Sequence, residues 1–444
     1  MTAAGTAAPA VQARPGPAGR PTAAGGAARL LDNWLSIQAV NLRRHATSMR
    51  AFTPTEFGTG PAAPSEAHVV AVNRFVEGFR LKLIESARSV EAAVRAAQRE
   101  PTPDRLSVVL ERKHRVSQQV LYVEGIWDFY FDLFVQRLSG FGERLLAVDR
   151  MAANCYEDLY IGLAVARPTP ALLPFSYADS GFTPSTYRRG VPLRRLRHHR
   201  NLFPLIVLPQ HRLDAPWALS SVLHECSHNL QADLGLWEVM PGLIHRRLTA
   251  DGLPPEVAEV WARWHKEMTA DLFALLLGGP AAVESLMDVV GRGRRATVSF
   301  DPAGVHPVPY LRVLISLELL RRIGLAQLAE DLSQVWRRLY PDVTGAELPT
   351  PLLRSFGRAC GLAVDTVALT PYPQLAGKRL VDVLPFGPEQ AAMIELAGRR
   401  LAEGADPGAV PLRFMVSAAR YALDQGLATP AAITDSFYRI LGRR

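Results

Sequence analysis

The sequence predicts a mainly α protein with a small β-sheet, which places it in the α+β class. Apolar residues recur at helical spacing over most of the chain. This periodicity disappears between residues 166 and 209, where Pro, Gly, Tyr, Thr and Phe become frequent. Inside that stretch, residues 202–209 form a short run rich in Ile, Val and Leu, which is typical of a strand.

Changes in composition divide the chain into four segments. The first has almost no large apolar side chains, so it cannot bury enough surface to fold and is expected to be disordered. The second is helical, the third holds the strand followed by helices, and the fourth is helical throughout. The predicted segments are an Ala/Gly/Pro-rich tail (1–27), an N-terminal helical bundle (28–165), a core (166–340) and a C-terminal helical region (341–444).

Turn residues and apolar spacing also predict individual helices. In the N-terminal bundle, helices are expected near residues 65–98, 102–138 and 140–165. In the core, helix is expected from residue 214 onward, with its first interruption at residues 240–255.

The composition is that of an ordinary globular protein, with 48% hydrophobic and 21% charged residues among 444. The formal net charge of +8 comes mainly from Arg in an Ala-, Gly- and Pro-rich chain, so nucleic-acid binding is not expected from charge alone. Three scattered cysteines argue against a disulfide framework. There is no signal-peptide apolar region and no apolar run of about 18 residues. We therefore expect a cytoplasmic protein without a membrane partner.

The strongest functional signal is the run His-Glu-Cys-Ser-His at residues 224–228. Asp214 as N-cap and Pro216 in the first turn predict a helix that contains it. The two histidines then lie four residues apart on one helix face, where both imidazoles can bind one tetrahedral Zn²⁺. Glu225 lies about 100° around the helix, beside the metal, where it can accept a proton from a water molecule.

A third ligand is expected from residues 254–280, which open with Pro-Pro and close with Gly-Gly-Pro, as a single helix would. Glu267 and Asp271 lie on an apolar stripe of that helix, where an unsatisfied carboxylate is costly. Zinc ligation by Glu267, with Asp271 accepting a hydrogen bond from a ligand histidine, satisfies both. An ordinary ion pair with Arg263 or Lys266 is the alternative.

Four other side chains compete for the place of third ligand: Asp233, Glu238, His245 and His265. Asp233 and Glu238 follow the motif so closely in sequence that they could reach the metal only if the motif helix ended early. His265 points about 200° away from Glu267 on the predicted helix, so we expect it at the surface.

The motif and the later Glu-x-x-x-Asp together resemble the gluzincin group of zinc metallopeptidases. The segment Glu-Met-Thr-Ala-Asp at residues 267–271 is similar to the E-x-x-A-D signature of HtpX/Ste24-like peptidases. Residues 301–313 resemble the His-Pro…Arg segment that follows in those enzymes, with His306, Pro307 and Arg312 at the matching positions.

The resemblance covers about residues 200–325 and implies a gluzincin-like zinc-protease core flanked by helical regions. In that core, residues 202–210 sit where gluzincins place the edge strand that pairs with an extended peptide substrate. Membrane-embedded members of the group have transmembrane helices, and this sequence departs from them in having no such segment.

The resemblance also implies a role for each matching residue. The implied zinc ligands are His224, His228 and Glu267. Glu225 would be the general base, and His306, or alternatively Tyr310, would stabilise the oxyanion of the tetrahedral intermediate. Asp271 and Arg312 would organise the ligands by pairing with them.

We therefore expect a zinc-dependent hydrolase, a metallopeptidase that acts on a peptide or protein substrate. Two alternative functions also require zinc binding. The first is a pseudoenzyme or interaction module, and the second is a hydrolase that acts on a specialised modified peptide. The basic run at residues 188–200 is either a solvated hairpin or a cleft rim that favours acidic substrates or nucleic acid. Cys226 is expected to be an inert core residue. Core packing is also expected for four tryptophans, namely Trp237, Trp261, Trp264 and Trp336.

Overall fold

The expected mainly α architecture with a small β-sheet is confirmed. The computed structural model describes residues 23–165, 170, 172–345 and 347–443. Residues 1–22, most of the expected disordered tail, lie outside the described residues. Residues 23–27 begin the first helix, so the expected tail is too long by these residues.

The chain forms two compact units, one from described residues 23–50 and 76–124 and the other from described residues 51–75 and 125–443. The segment boundaries expected near residues 165 and 340 stay predictions. The three helices expected in the N-terminal bundle are confirmed to within a few residues. The helices of this part are α1 (Ala23–Ser48), α2 (Glu66–Arg99), α3 (Pro103–Val135) and α4 (Gly142–Leu163).

The first unit is built from parts of α1, α2 and α3. Arg43 of α1 donates through Nε to Glu91 of α2 at 2.5 Å. Arg112 of α3 donates through Nη1 to the carbonyl oxygen of Ser89 in α2 at 3.0 Å. Val90 lies between these two links on α2 and is fully buried. Polar links at the surface of the helices thus surround an apolar interior.

The second unit contains a small mixed sheet and a short hairpin. The strands are β1 (Phe175–Asp179), β2 (Ser185–Tyr187), β3 (Pro192–Leu193), β4 (His199–Arg200) and β5 (Leu205–Pro209). The sheet has the order β1-β5-β2, with β1 parallel and β2 antiparallel to β5. The basic run predicted as a hairpin carries the β3–β4 pair.

The strand expected at residues 202–209 is β5, and its expected position at the sheet edge is wrong. β5 lies between β1 and β2, and four of its five residues are buried. A strand that has a neighbour on each side is buried, and its sequence is a continuous apolar run. The apolar run at residues 202–209 is therefore typical of a central strand and not of an edge strand. The edge beside the candidate site is β2, which is three residues long and carries little apolar signal.

Most of the second unit is helical. Eight helices follow the sheet: α5 (Ser220–Asp233), α6 (Leu236–Ala250), α7 (Pro255–Arg263), α8 (His265–Gly278), α9 (Ala281–Val290), α10 (Arg294–Thr297), α11 (Pro309–Arg322) and α12 (Ala326–Leu339). Five more complete the described chain: α13 (Thr350–Val364), α14 (Leu380–Val383), α15 (Pro388–Ala402), α16 (Met415–Asp424) and α17 (Pro430–Arg443). No helix in the described ranges is long and apolar enough to cross a membrane.

Three helix boundaries differ from the expectation. The motif helix α5 begins at Ser220, because residues Pro216–Ala218 form a separate 3₁₀ turn and Leu219, at φ −79°, ψ 1°, separates this turn from the α-helix. The expected continuous helix up to residue 240 is broken after Asp233, and α6 begins at Leu236 and passes through Pro241. The interruption expected at 240–255 is shorter and lies between Ala250 and Pro255. The single helix expected at residues 254–280 is divided into two helices by a break at Trp264, where the sequence has neither Pro nor Gly.

Helices α5 and α8 approach closely near the end of α8. A Cβ added at Gly278 would collide with the side chain of Leu223, which would have to shift to make room for it. Leu223 is fully buried in a continuous apolar core that also includes Trp261, Trp264 and Trp336. The close packing of α5 against α8 brings the two halves of the predicted ligand set together.

An arginine on α16 forms ion pairs with three carboxylates beside this core. Arg420 lies 3.3 Å from Glu284, 2.5 Å from Asp288 and 2.9 Å from Asp424. The side chain of Glu284 is only 18% exposed. Burial raises the pKa of Glu284 to about 7, in spite of the opposing effect of Arg420.

The substitution Glu284→Gln should change the pH dependence of stability. The folded protein holds the Glu284 proton up to about pH 7, whereas an ordinary Glu loses it near pH 4.5. The free energy of unfolding should therefore fall by up to about 3 kcal/mol as the pH rises through this window. Urea unfolding at pH 4.5 and pH 8 should show a smaller fall in the variant. The exposed Glu389→Gln serves as control; an unchanged slope in Glu284→Gln would contradict the expectation.

Candidate metal centre

Helix α5 presents two histidines of the motif to a cleft. Their Nε2 atoms lie 3.1 Å apart, and the side chains of His224 and His228 are 16% and 12% exposed. The opposite face of the helix, with Leu223, Cys226 and Leu230, is fully buried in the core. This amphipathic arrangement fixes the rotation of α5 about its axis, so both imidazoles must face the same side.

Glu267 completes a group of three possible metal ligands. One carboxylate oxygen lies 3.3 Å from Nε2 of His228 and the other lies 3.5 Å from Nε2 of His224. Ligand atoms from all three residues lie within 4.8 Å of one another. Glu267 is in the first turn of α8, where the helix dipole favours a negative charge.

These donor atoms are close enough together to contact one small metal ion. Zinc binds imidazole nitrogen and carboxylate oxygen at about 2.0 to 2.2 Å, so two ligand atoms of a tetrahedral site lie roughly 3.3 to 3.6 Å apart. The two imidazole nitrogens are 3.1 Å apart, and they lie 3.3 and 3.5 Å from different oxygens of Glu267, with one ligand atom from each residue within 4.8 Å of the others. Two imidazoles and one carboxylate are also a donor set that Zn²⁺ accepts.

Asp271 and Arg312 form hydrogen bonds with the members of this group. Nδ1 of His224 donates to Asp271 at 2.9 Å, which directs Nε2 of the same ring toward the cleft. Arg312 donates through Nε to Asp271 and through Nη2 to Asp271 at 3.0 Å and to Glu267 at 3.1 Å. Its Nη2 also lies 3.3 Å from Nε2 of His224. By contrast, Nδ1 of His228 has no hydrogen-bond partner among the described residues.

The charges of the group stabilise one another. Burial opposes ionisation of Asp271, but Arg312 and His224 outweigh it and lower the pKa of this carboxyl. The pKa of Glu267 is lowered in the same way, against burial, by its hydrogen bonds with both histidines. Burial also opposes the charge on His224, and hydrogen bonds to Asp271 and Glu267 overcome it and raise its pKa to about 10. Metal binding at His224 would therefore displace a proton.

Glu225 lies next to the first histidine and lines the cleft. The residue is buried, and burial raises the pKa of its carboxyl. A carboxylate in such surroundings is a stronger base than an exposed one, which suits proton transfer near neutral pH.

The two candidates for oxyanion stabilisation differ in position. His306 precedes α11 and its Nε2 lies 3.4 Å from Glu267, with 62% of the side chain exposed. Tyr310 does not line the cleft; it is 9% exposed, and its ring stacks on Trp336 at a centroid distance of 6.4 Å. The geometry therefore brings His306, and not Tyr310, to the group.

The competing ligands do not join the described metal-binding group. The expectation that His265 lies at the surface is wrong: it is 7% exposed, and its Nδ1 lies 2.7 Å from the carbonyl oxygen of Ala262. The reason is the helix break at Trp264, which makes His265 the first residue of α8.

The alternative pairing of the carboxylates with neighbouring cations is also not observed. Arg263 donates to the carbonyl oxygen of Pro302 at 2.7 Å, and Lys266 lies over the ring of Trp237. The two carboxylates instead contact His224 and Arg312, as described above.

The cysteine inside the motif is an unreactive core group. Cys226 is fully buried, and a hydrogen bond with Cys155 together with burial raises the pKa of its thiol well above the usual value. A thiol that stays protonated is a poor nucleophile and a poor metal ligand.

The cleft has a volume of about 700 Å³ and contains residues that the sequence did not single out. Its walls come from β2, α5, α8, α9 and the segment before α11. Trp237 of α6, which was expected in the core, lines the cleft together with Lys266 and Ser185. The sequence did not predict that Trp237 and Ser185 line the cleft, because they lie on α6 and β2 and meet the motif helix only in the folded protein.

Comparisons of this chain with protein-family models, with curated proteins and with solved structures found no match. The similarity to gluzincins therefore consists of the motif residues and their spacing in sequence.

We expect the purified protein to bind about one zinc ion per chain through the two histidines and Glu267. His228→Ala and Glu267→Ala each remove a ligand and should abolish stoichiometric zinc, as measured by atomic emission after dialysis. His245→Ala, which removes a competing candidate, should leave the zinc content unchanged. Full zinc occupancy in Glu267→Ala would show that another residue is the third ligand.

Arg312→Met should destabilise the metal-free protein by about 3 kcal/mol or more, because it leaves Asp271 and Glu267 buried without their cation. Urea unfolding of the chelator-treated protein measures this effect. Arg358→Met breaks an exposed ion pair with Asp251 and should cost less than about 1 kcal/mol. Equal losses in the two variants would contradict the buried-pair interpretation.

Proposed function

We propose that the protein is a zinc-dependent metallopeptidase with a gluzincin-like core, and that it cleaves a peptide or protein substrate. The observation that carries this proposal is the convergence of His224, His228 and Glu267, whose ligand atoms lie within 4.8 Å of one another, with Glu225 in the same cleft. Structural zinc sites are usually closed by four protein ligands, whereas catalytic sites have three and leave one position open. A three-residue group that faces a cleft favours catalysis.

The chain supplies the proton transfers of this reaction. A zinc ion held there supplies Lewis-acid polarisation of the scissile carbonyl and makes water nucleophilic near neutral pH. Glu225 takes the proton from the attacking water and passes it to the leaving amine. The exposed imidazole of His306 donates a hydrogen bond to the developing oxyanion.

Asp271 and Arg312 act as positioning residues. Asp271 keeps a proton on Nδ1 of His224, so Nε2 of that ring is available to the metal. Arg312 holds Asp271 and Glu267 in their ionised forms, which are the forms that accept a hydrogen bond and bind a metal.

The open edge of the sheet offers a place for an extended substrate. β2 pairs with β5 on one side only, among the described strands, and its Ser185 and Thr186 line the cleft. Asn229 of α5 donates to Thr186 at 2.9 Å, which ties this edge to the motif helix. A peptide added to β2 would gain main-chain hydrogen bonds beside the metal centre.

Glu225→Gln should bind zinc as the wild type does and lose hydrolysis by at least about 100-fold, because the amide cannot accept the proton. The measurement is the appearance of new termini, by mass spectrometry, in a diverse peptide mixture incubated with zinc-loaded protein.

Glu238→Gln, at an exposed position outside the cleft, is the matched control and should keep full activity. Undiminished hydrolysis by Glu225→Gln would overturn the mechanism. Stoichiometric zinc in a wild-type protein that cleaves no peptide would favour the interaction module instead.

A further inference from the structure

Two cations lie over one tryptophan in the wall of the cleft. The guanidinium carbon of Arg188 is 3.6 Å from the ring centroid of Trp237, and Nζ of Lys266 is 3.9 Å from it. The distance between the guanidinium carbon of Arg188 and Nζ of Lys266 therefore cannot exceed the sum of these two distances. All three residues line the cleft of the candidate metal centre.

The two cations have no anionic partner close by. Neither Arg188 nor Lys266 forms an ion pair with a carboxylate among the residues that the structure describes. Asp233 and Glu238 act on Arg188 only as more distant charges. Two cations in the wall of a cleft that form no ion pair with a carboxylate attract an anionic group of a ligand.

The cations are next to the groups that would carry out the reaction. The ring of Trp237 lies 6.4 Å from the ring of His228. Lys266 precedes Glu267 in α8, and Arg188 directly follows the edge strand β2. A substrate that extends along β2 toward the metal centre would therefore pass these positive charges.

The ring holds the cations in place for a ligand. Cation–π contacts restrict the long side chains of Arg188 and Lys266, so less conformational entropy is lost when a ligand binds. A guanidinium and an ammonium are the groups that recognise carboxylates, the first through paired hydrogen bonds and the second as a point charge.

We propose that Arg188, Lys266 and Trp237 form a subsite for a substrate carboxylate close to the scissile bond. This subsite rests on the proposed peptidase function and defines its substrate as acidic at one position. The carboxylate is that of an Asp or Glu side chain or that of the substrate's own C-terminus, and the two sources are separated by the peptides used in the test.

The test measures binding to full-length, zinc-loaded Glu225→Gln by fluorescence anisotropy with three labelled peptides of equal length. One contains a single Glu and an amidated C-terminus, the second contains Gln and a free C-terminus, and the third contains Gln and an amidated C-terminus. The position of the Glu is scanned along the first peptide. At least one carboxylate peptide should bind about 10-fold more tightly than the neutral one, and added salt should reduce the difference.

Arg188→Gln and Lys266→Gln, separately and together in the same background, should remove this preference while zinc content and circular dichroism stay unchanged. Arg194→Gln is the matched control, because Arg194 belongs to the same basic run, is exposed and does not line the cleft. Equal binding of all three peptides, or a preference that survives in the double variant, would overturn the subsite.

Cleavage of the same peptides by the wild type separates the two proposals. Preferential binding of a carboxylate peptide without cleavage supports the subsite and rejects the peptidase. Cleavage without a preference for a carboxylate supports the peptidase and rejects the subsite.

Discussion

The candidate site depends on one buried arrangement of charges, in which Asp271 is paired with His224 on one side and Arg312 on the other. These residues come from α8, α5 and α11, so the pairing joins three helices at the same point. A buried carboxylate without such partners would be strongly unfavourable. The same contacts that remove this cost also orient the imidazole and hold Glu267 beside it. Stability of the local fold and geometry of the ligands therefore have a common origin.

The cleft has charges of opposite sign in different places. Around the ligand group, the carboxylates of Glu225, Glu267 and Asp271 suit a divalent cation. Beside this group, Arg188 and Lys266 lie over an aromatic ring and form no ion pair with a carboxylate among the described residues. Because the negative charges would be compensated by a metal and by Arg312, the positive ones would remain to attract an anionic substrate group. The two proposals thus describe neighbouring parts of one cleft.

Much of the fold was predictable because helical periodicity is a local property of the chain. The long helices follow from it, whereas the sheet region and β5 follow from its loss and from a local run of Ile, Val and Leu. Whether β5 lies at the centre or at the edge was not predictable, since that depends on which other strands pair with it. The break at Trp264 has no local signal either. His265, which follows the break and was expected at the surface, is buried.

For the candidate site, the sequence by itself determined which side chains share a helix face. The four-residue spacing of His224 and His228, and that of Glu267 and Asp271, places each pair on one face wherever the helix lies. Only the tertiary structure decided that the two helices meet, because that contact requires burial of their apolar faces and the close approach at Gly278. It also decided that Trp237 faces the cleft with two cations. Such contacts join segments that are far apart in the chain, and no local pattern encodes them.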